Sequence, residues 1–164
     1  MYNLGSQFRF DLNAAKGNKD AIVKGKKYRF TIITESLIRL EYSPTGEFED
    51  NPSQLVWFRN HERPEFYVQG DSRILEIKTR YFTLTYEKES KFGANPLNPS
   101  ANLKIMVPET EKVWYYKHPE VRNYECPCGE FNSNNELMRI KGLYSTDGFV
   151  SIDDSNTLIF NEDG

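Results

Sequence analysis

The residues best equipped for chemistry crowd into GLYSTDGFVSIDDS, Gly142 to Ser155, where Ser145, Asp147, Ser151, Asp153, Asp154 and Ser155 share one short segment. Glycoside hydrolysis needs two carboxyl groups, one acting as acid and the other as base or nucleophile. Asp147, Asp153 and Asp154 are candidates for such a pair. Asp and Ser also bind nearby backbone N–H groups and end strands at the surface, so turn chemistry alone accounts for IDDS. The serines have acids nearby but no histidine in their segment, and the chain contains no GxSxG elbow.

A second concentration lies upstream, where Cys126 and Cys128 form CPC close to His118. A closed zinc site takes four ligands, commonly with CxxC pairs, and the only other histidine is His61. The ligand count argues against a metal, and a disulfide across one residue would close a strained ring. Free thiols in a reducing compartment are the expectation, with no metal and no cofactor.

These residues need elements to hold them. The 164 residues carry 21 Lys and Arg against 24 Asp and Glu, a net charge of −3 with no basic block to neutralise phosphates, which argues against a nucleic-acid partner. No apolar stretch approaches the roughly 20 residues that span a bilayer, and MYNLGSQFRF lacks the apolar centre of a signal peptide, so a cytoplasmic chain without a membrane partner is expected. Aromatic residues make up 14% of the chain, which favours pleated strands.

The alternation agrees. KYRFTIIT and LIRLEYS read as a hairpin with Tyr28, Phe30 and Ile32 on one face and Ile38, Leu40 and Tyr42 inward on its partner, leaving Arg39 and Glu41 opposite. Leu75, Ile77, Phe82, Leu84 and Tyr86 point inward along RILEIK and RYFTLTYEK, and QLVWF, PEFYV, NLKIMV, KVWYYK, GFVSID and NTLIF read as further strands. About ten short strands without helical periodicity predict an all-β fold, an antiparallel β-sandwich or barrel, in one domain over 1–164. The stretch from His118 to Glu136 is expected to be a long loop, and loops of that length are usually functional or disordered.

The segment KKYRFTIITESLIRLEYSPTGEFEDNPSQLVWFRN resembles the opening of glycoside hydrolase family 31, which includes the α-glucosidases, and ILEIKTRYFTLTYEK resembles the next part of that family's N-terminal domain. GLYSTDGFVSIDDS is similar to the family's GLLSRDGW.LIDDS signature. The matches run in order from about Asp20 to Ser155. The resemblance implies a galactose-mutarotase-like supersandwich, the non-catalytic N-terminal domain of a retaining α-glycosidase. Its catalytic aspartates would stand on a (β/α)8 barrel expected after about residue 164, leaving no catalytic residue here.

The implied partners are that barrel, in the same full-length chain, and an oligosaccharide or α-glucoside substrate. The loop before the signature is the expected rim of the sugar pocket. Tyr124 and Phe131 would offer ring faces there, and Asn132, Asn134 and Asn135 would offer amides. Tyr144, Asp147 and Phe149 are expected at the barrel interface. This loop reads NYECPCGEFNSNN where relatives often carry NLGGT.RTLDG. Two alternatives remain open: a free-standing carbohydrate-binding module, which requires an exposed set of Trp or Tyr rings, and an aldose-epimerase-like enzyme, which requires a histidine facing a buried glutamate.

Overall fold

The computed structural model describes residues 11–93, 101–119, 123–126, 133–135 and 140–160. The fold is all-β as expected, and every strand pairing described is antiparallel. The chain divides into two compact units, one of Met1–Tyr67, Lys88–Lys91 and Asp153–Gly164, the other of Val68–Glu87 and Phe92–Ile152.

In the first unit a short helix, α1 (Leu12–Ala15), is capped by the Asp11 carboxylate, and a single 3₁₀ turn (Lys19–Ala21) by the Asn18 amide. The sheet follows as β1 (Ile22–Lys24), β2 (Tyr28–Thr34) and β3 (Leu37–Tyr42), in that spatial order. β2 is the middle strand, and residues 28–33 are all buried, on both faces. Its register with β3 shifts between Ile32 and Thr34, so Ile33 is an extra residue, and Thr34 Oγ1 accepts a hydrogen bond from the Ser36 N–H to close the glycine-free turn. Ile38, Leu40 and Tyr42 prove only half-buried on β3, because it is an edge strand with one neighbour.

The β1–β2 turn depends on Glu89. One carboxylate oxygen accepts from the Lys26 N–H at 2.9 Å and the other from the Lys27 N–H at 2.7 Å, so a single side chain satisfies two turn donors. Gly25 makes room for it: a Cβ there would lie 2.2 Å from the Glu89 carboxylate and 2.3 Å from the Tyr28 ring. Burial first, and the Glu89 charge second, push the Tyr28 phenol above its ordinary pKa.

The second unit holds a five-stranded meander of β4 (Tyr67–Gly70), β5 (Ile74–Lys78), β6 (Thr83–Glu87), β7 (Leu103–Val107) and β8 (Lys112–Tyr115). Its register aligns Leu75 with Tyr86 and Tyr86 with Leu103, then Ile77 with Leu84, Leu84 with Ile105 and Ile105 with Trp114. These two cross-strand rows are the apolar face that the alternation predicts, and Leu75, Ile77, Phe82, Leu84 and Tyr86 are all buried. A separate ribbon pairs β9 (Asn123–Cys126) with β10 (Ile140–Ser145). The expected long loop therefore contains a strand, and the start of the GLYSTDG stretch is the strand opposite it.

Three expected strands are absent from the described residues: QLVWF, GFVSID and NTLIF form no ladder beyond an isolated bridge, Ser53 to Ile159. In QLVWF the competitor is local. Ser53 Oγ accepts from the Val56 N–H at 3.0 Å, and that turn takes the backbone out of extended geometry.

Two measurements check this account. Leu84→Ala, at a fully buried position, is expected to cost about 2–5 kcal/mol in a urea melt, while Leu37→Ala, at an exposed one, stays within about 0.5 kcal/mol. Because the folded state favours the neutral Tyr28 phenol, its contribution is complete below the ordinary value of 10.0 and is lost as pH rises through the higher folded value. Tyr28→Phe is expected to flatten that alkaline loss, read from unfolding midpoints alongside phenolate absorbance.

Candidate functional site

Two carboxylates of the signature segment, those of Asp153 and Asp154, are committed to structure. Asp153 accepts from the Ser155 N–H at 3.0 Å in a local turn. Asp154 takes the Ser53 hydroxyl at 2.6 Å on one oxygen and the Thr157 hydroxyl on the other. Around it the segment clasps an earlier loop, with the Gln54 N–H donating to the Leu158 carbonyl, the Phe160 N–H to the Pro52 carbonyl, and the Trp57 and Phe160 rings meeting edge to face at 5.1 Å. Asp154 is thus the pin of a latch. Asp147 is 5% exposed in the turn after β10, where the Ser145 hydroxyl accepts from its N–H at 3.0 Å and its carbonyl accepts from the Thr110 hydroxyl at 2.8 Å.

The other residues expected at an interface separate in the same way. Phe149 is half-buried and meets the His118 ring edge to face at 5.2 Å, with Tyr115 on another side of that histidine at 4.7 Å. Tyr144 is 78% exposed. Its cross-strand partner is Tyr124, 65% exposed, so two residues expected in different roles stand directly opposite each other on one ribbon. Opposed Cβ atoms in an antiparallel pair lie about 4.5–5.5 Å apart on the same face, which sets the two side chains next to each other. Neither ring packs against another aromatic ring among the described residues.

The ribbon is stiffened where the chain would otherwise be weak. Its register slips between Ile140 and Tyr144, and the Asn123 side chain bridges the irregularity, accepting from the Gly142 N–H and donating to the Gly142 carbonyl, both at 2.8 Å. Gly142 is required because a Cβ there would sit 2.1 Å from the Tyr124 carbonyl oxygen. Asn134 and Asn135 are exposed in a turn between the two strands, Asn135 with a left-handed φ of 62°. Phe131 and Asn132 lie outside the described residues, as does Cys128.

A charge cluster in the first unit escapes reading by alternation, which assigns Arg39 and Glu41 to a solvated face. Arg29 donates to both oxygens of Glu41 at 2.7 and 2.9 Å, to Asp50 at 2.5 Å and to the Glu49 carbonyl at 2.9 Å, and Arg39 reaches Glu41 at 3.0 Å. Burial opposes the Arg29 charge, but Glu41 and Asp50 outweigh it and hold the pKa above its ordinary value. Arg39 and Arg59 go the other way, lowered first by burial; Glu41 partly offsets this at Arg39, and the Arg39 charge adds to it at Arg59. The legible signal was the spacing of Arg29, Arg39 and Glu41, which the hairpin register places side by side. Among the described residues no group of three or more His, Cys, Asp or Glu side chains is arranged to hold a metal ion.

Gly142→Ala is expected to break the ribbon, seen as faster amide hydrogen exchange across β9 and β10 with the β5–β6–β7 amides unchanged; equal protection in the variant would mean the close approach at Tyr124 is not a constraint. No protein-family model matches the chain, and no curated protein is detectably similar to it.

Proposed function

We propose that this chain is a non-catalytic, sugar-contacting β-domain of a retaining α-glycosidase of the family 31 type, folded as a galactose-mutarotase-like supersandwich in the cytoplasm. It packs on a catalytic barrel and shapes the rim of the sugar pocket. The observation that carries this reading is the exposed Tyr124–Tyr144 pair. Two solvent-facing tyrosines in cross-strand register provide the apolar faces with polar tips that pyranose rings use, and the exposed amides of Asn134 and Asn135 belong to the turn between their strands.

The commitments of the Asp153 and Asp154 carboxylates to a turn and to the latch, and the burial of Asp147, support a structural signature over a catalytic one. The same tyrosine pair also fits a free-standing carbohydrate-binding module, which differs only in lacking the barrel. The epimerase alternative needs a histidine against a buried glutamate, and among the side chains described no glutamate is buried. Among the same residues no helix is long and apolar enough to cross a membrane.

The test is equilibrium binding of maltooligosaccharides to this chain, followed by tyrosine fluorescence or ligand-observed nuclear magnetic resonance. Tyr124→Ala with Tyr144→Ala is expected to weaken binding about tenfold or more, near 1.4 kcal/mol, with the unfolding midpoint nearly unchanged. Aryl α-glucosides are expected to be left intact. Equal sugar affinity in the double variant, or no sugar binding by the parent chain, would remove the tyrosine pair as the basis of the reading.

A further inference from the structure

Arg59 is 2% exposed, yet among the described residues no carboxylate lies within ion-pair distance of it. A guanidinium carries five N–H donors. Nη2 serves the carbonyls of Asn51 at 3.1 Å and Val56 at 3.3 Å, whereas Nε and Nη1 are buried without an acceptor. Buried donors on a charged group carry their full desolvation penalty when left unmade, and such groups call for a specific explanation.

Among the described residues none comes from within the unit. Arg39 adds a like charge, and the two carboxylates whose charges act on Arg59, Glu41 and Asp154, are already engaged: Glu41 binds Arg29 and Arg39, and Asp154 binds Ser53 and Thr157. An acceptor-only group with several oxygens and a negative charge meets the need directly.

The neighbouring loop is lightly held. The loop whose carbonyls hold Arg59 is the one clasped by the Asp154 latch, through an isolated bridge and a few hydrogen bonds. Leu55, Phe58, Leu158 and Ile159 remain exposed there, so the clasp buries little apolar surface. Regions with few buried apolar contacts open locally at small free-energy cost.

We propose that Arg59, with Arg39 near it, is the receptor for a small oxyanion, admitted when the segment around Asp154 lifts from the loop between Asn51 and Val56. This site is independent of the sugar-contacting ribbon. Asp154 is the gatekeeping charge, since its carboxylate attracts the two guanidiniums in the closed state and repels an incoming anion.

The experiment uses the full chain with nitrogen-labelled arginine side chains, titrated with sodium phosphate, sodium sulfate or sodium acetate against sodium chloride at matched ionic strength. The Arg59 Nε resonance is expected to shift saturably, and the unfolding temperature to rise with the logarithmic dependence of a ligand that binds only the folded state. Phosphate and sulfate acting without acetate would identify a tetrahedral ligand, and acetate acting alone a carboxylate. Asp154→Asn keeps an acceptor for Ser53 and removes the repulsion, so it is expected to tighten binding severalfold, and Arg59→Gln to abolish both responses. If Arg59→Gln does not fold, the parent titration and Asp154→Asn decide the matter. An Nε resonance unmoved by all three anions, a response shared with chloride, or weaker binding in Asp154→Asn would overturn the proposal.

Discussion

A guanidinium taken out of water must find an acceptor for each N–H it carries, and the first unit is arranged around that constraint at Arg29. β2 is buried on both faces, so the face opposite Tyr28, Phe30 and Ile32 cannot leave its polar groups to solvent. Glu41 arrives by hairpin register, while Asp50 and the Glu49 carbonyl arrive because the chain beyond β3 turns back over the strand, with the Phe48 ring 5.0 Å from the guanidinium carbon. Removing one partner of such a set strands a buried charge, which is far more damaging than never having built the set.

Arg59 shows the same constraint left incomplete. It is more deeply buried than Arg39, and among the described residues its acceptors are two carbonyls and no carboxylate. Arg29 makes four hydrogen bonds, three of them to carboxylates, whereas among the described residues Arg59 makes two, both to carbonyls. Around both, the Asp154 latch uses side-chain hydrogen bonds where regular strands would have used a ladder.

The second unit solves a different problem. Its meander sets two rows of apolar side chains in register, and two of its turns are closed locally, the Thr79 hydroxyl accepting from the Tyr81 and Phe82 N–H groups and the Asp71 carboxylate from those of Arg73 and Ile74. The β9–β10 ribbon contrasts with that sheet: it is short, bulged and braced by one asparagine side chain. Tyrosines placed on such a ribbon stay at the surface, which suits a contact with a ligand or partner better than a role in the core.

The sequence by itself determined the all-β class, the β2–β3 hairpin and the inward row from Leu75 to Tyr86, because period-two alternation is a local property and each of these strands has a partner close in sequence. It also carried turn chemistry for Asp153, which accepts from the Ser155 N–H, but not the role of Asp154, whose carboxylate takes two hydroxyls, one from Ser53. Tertiary structure alone decided the rest. Whether Arg39 and Glu41 face water depends on what covers β3. Whether QLVWF becomes a strand depends on Ser53 and on Asp154, which is 101 positions away. That Tyr124 and Tyr144 stand opposite each other depends on a pairing between segments that alternation does not mark as strands. Long-range pairing and cover are set by the summed burial of many residues, and no short window of sequence contains that sum.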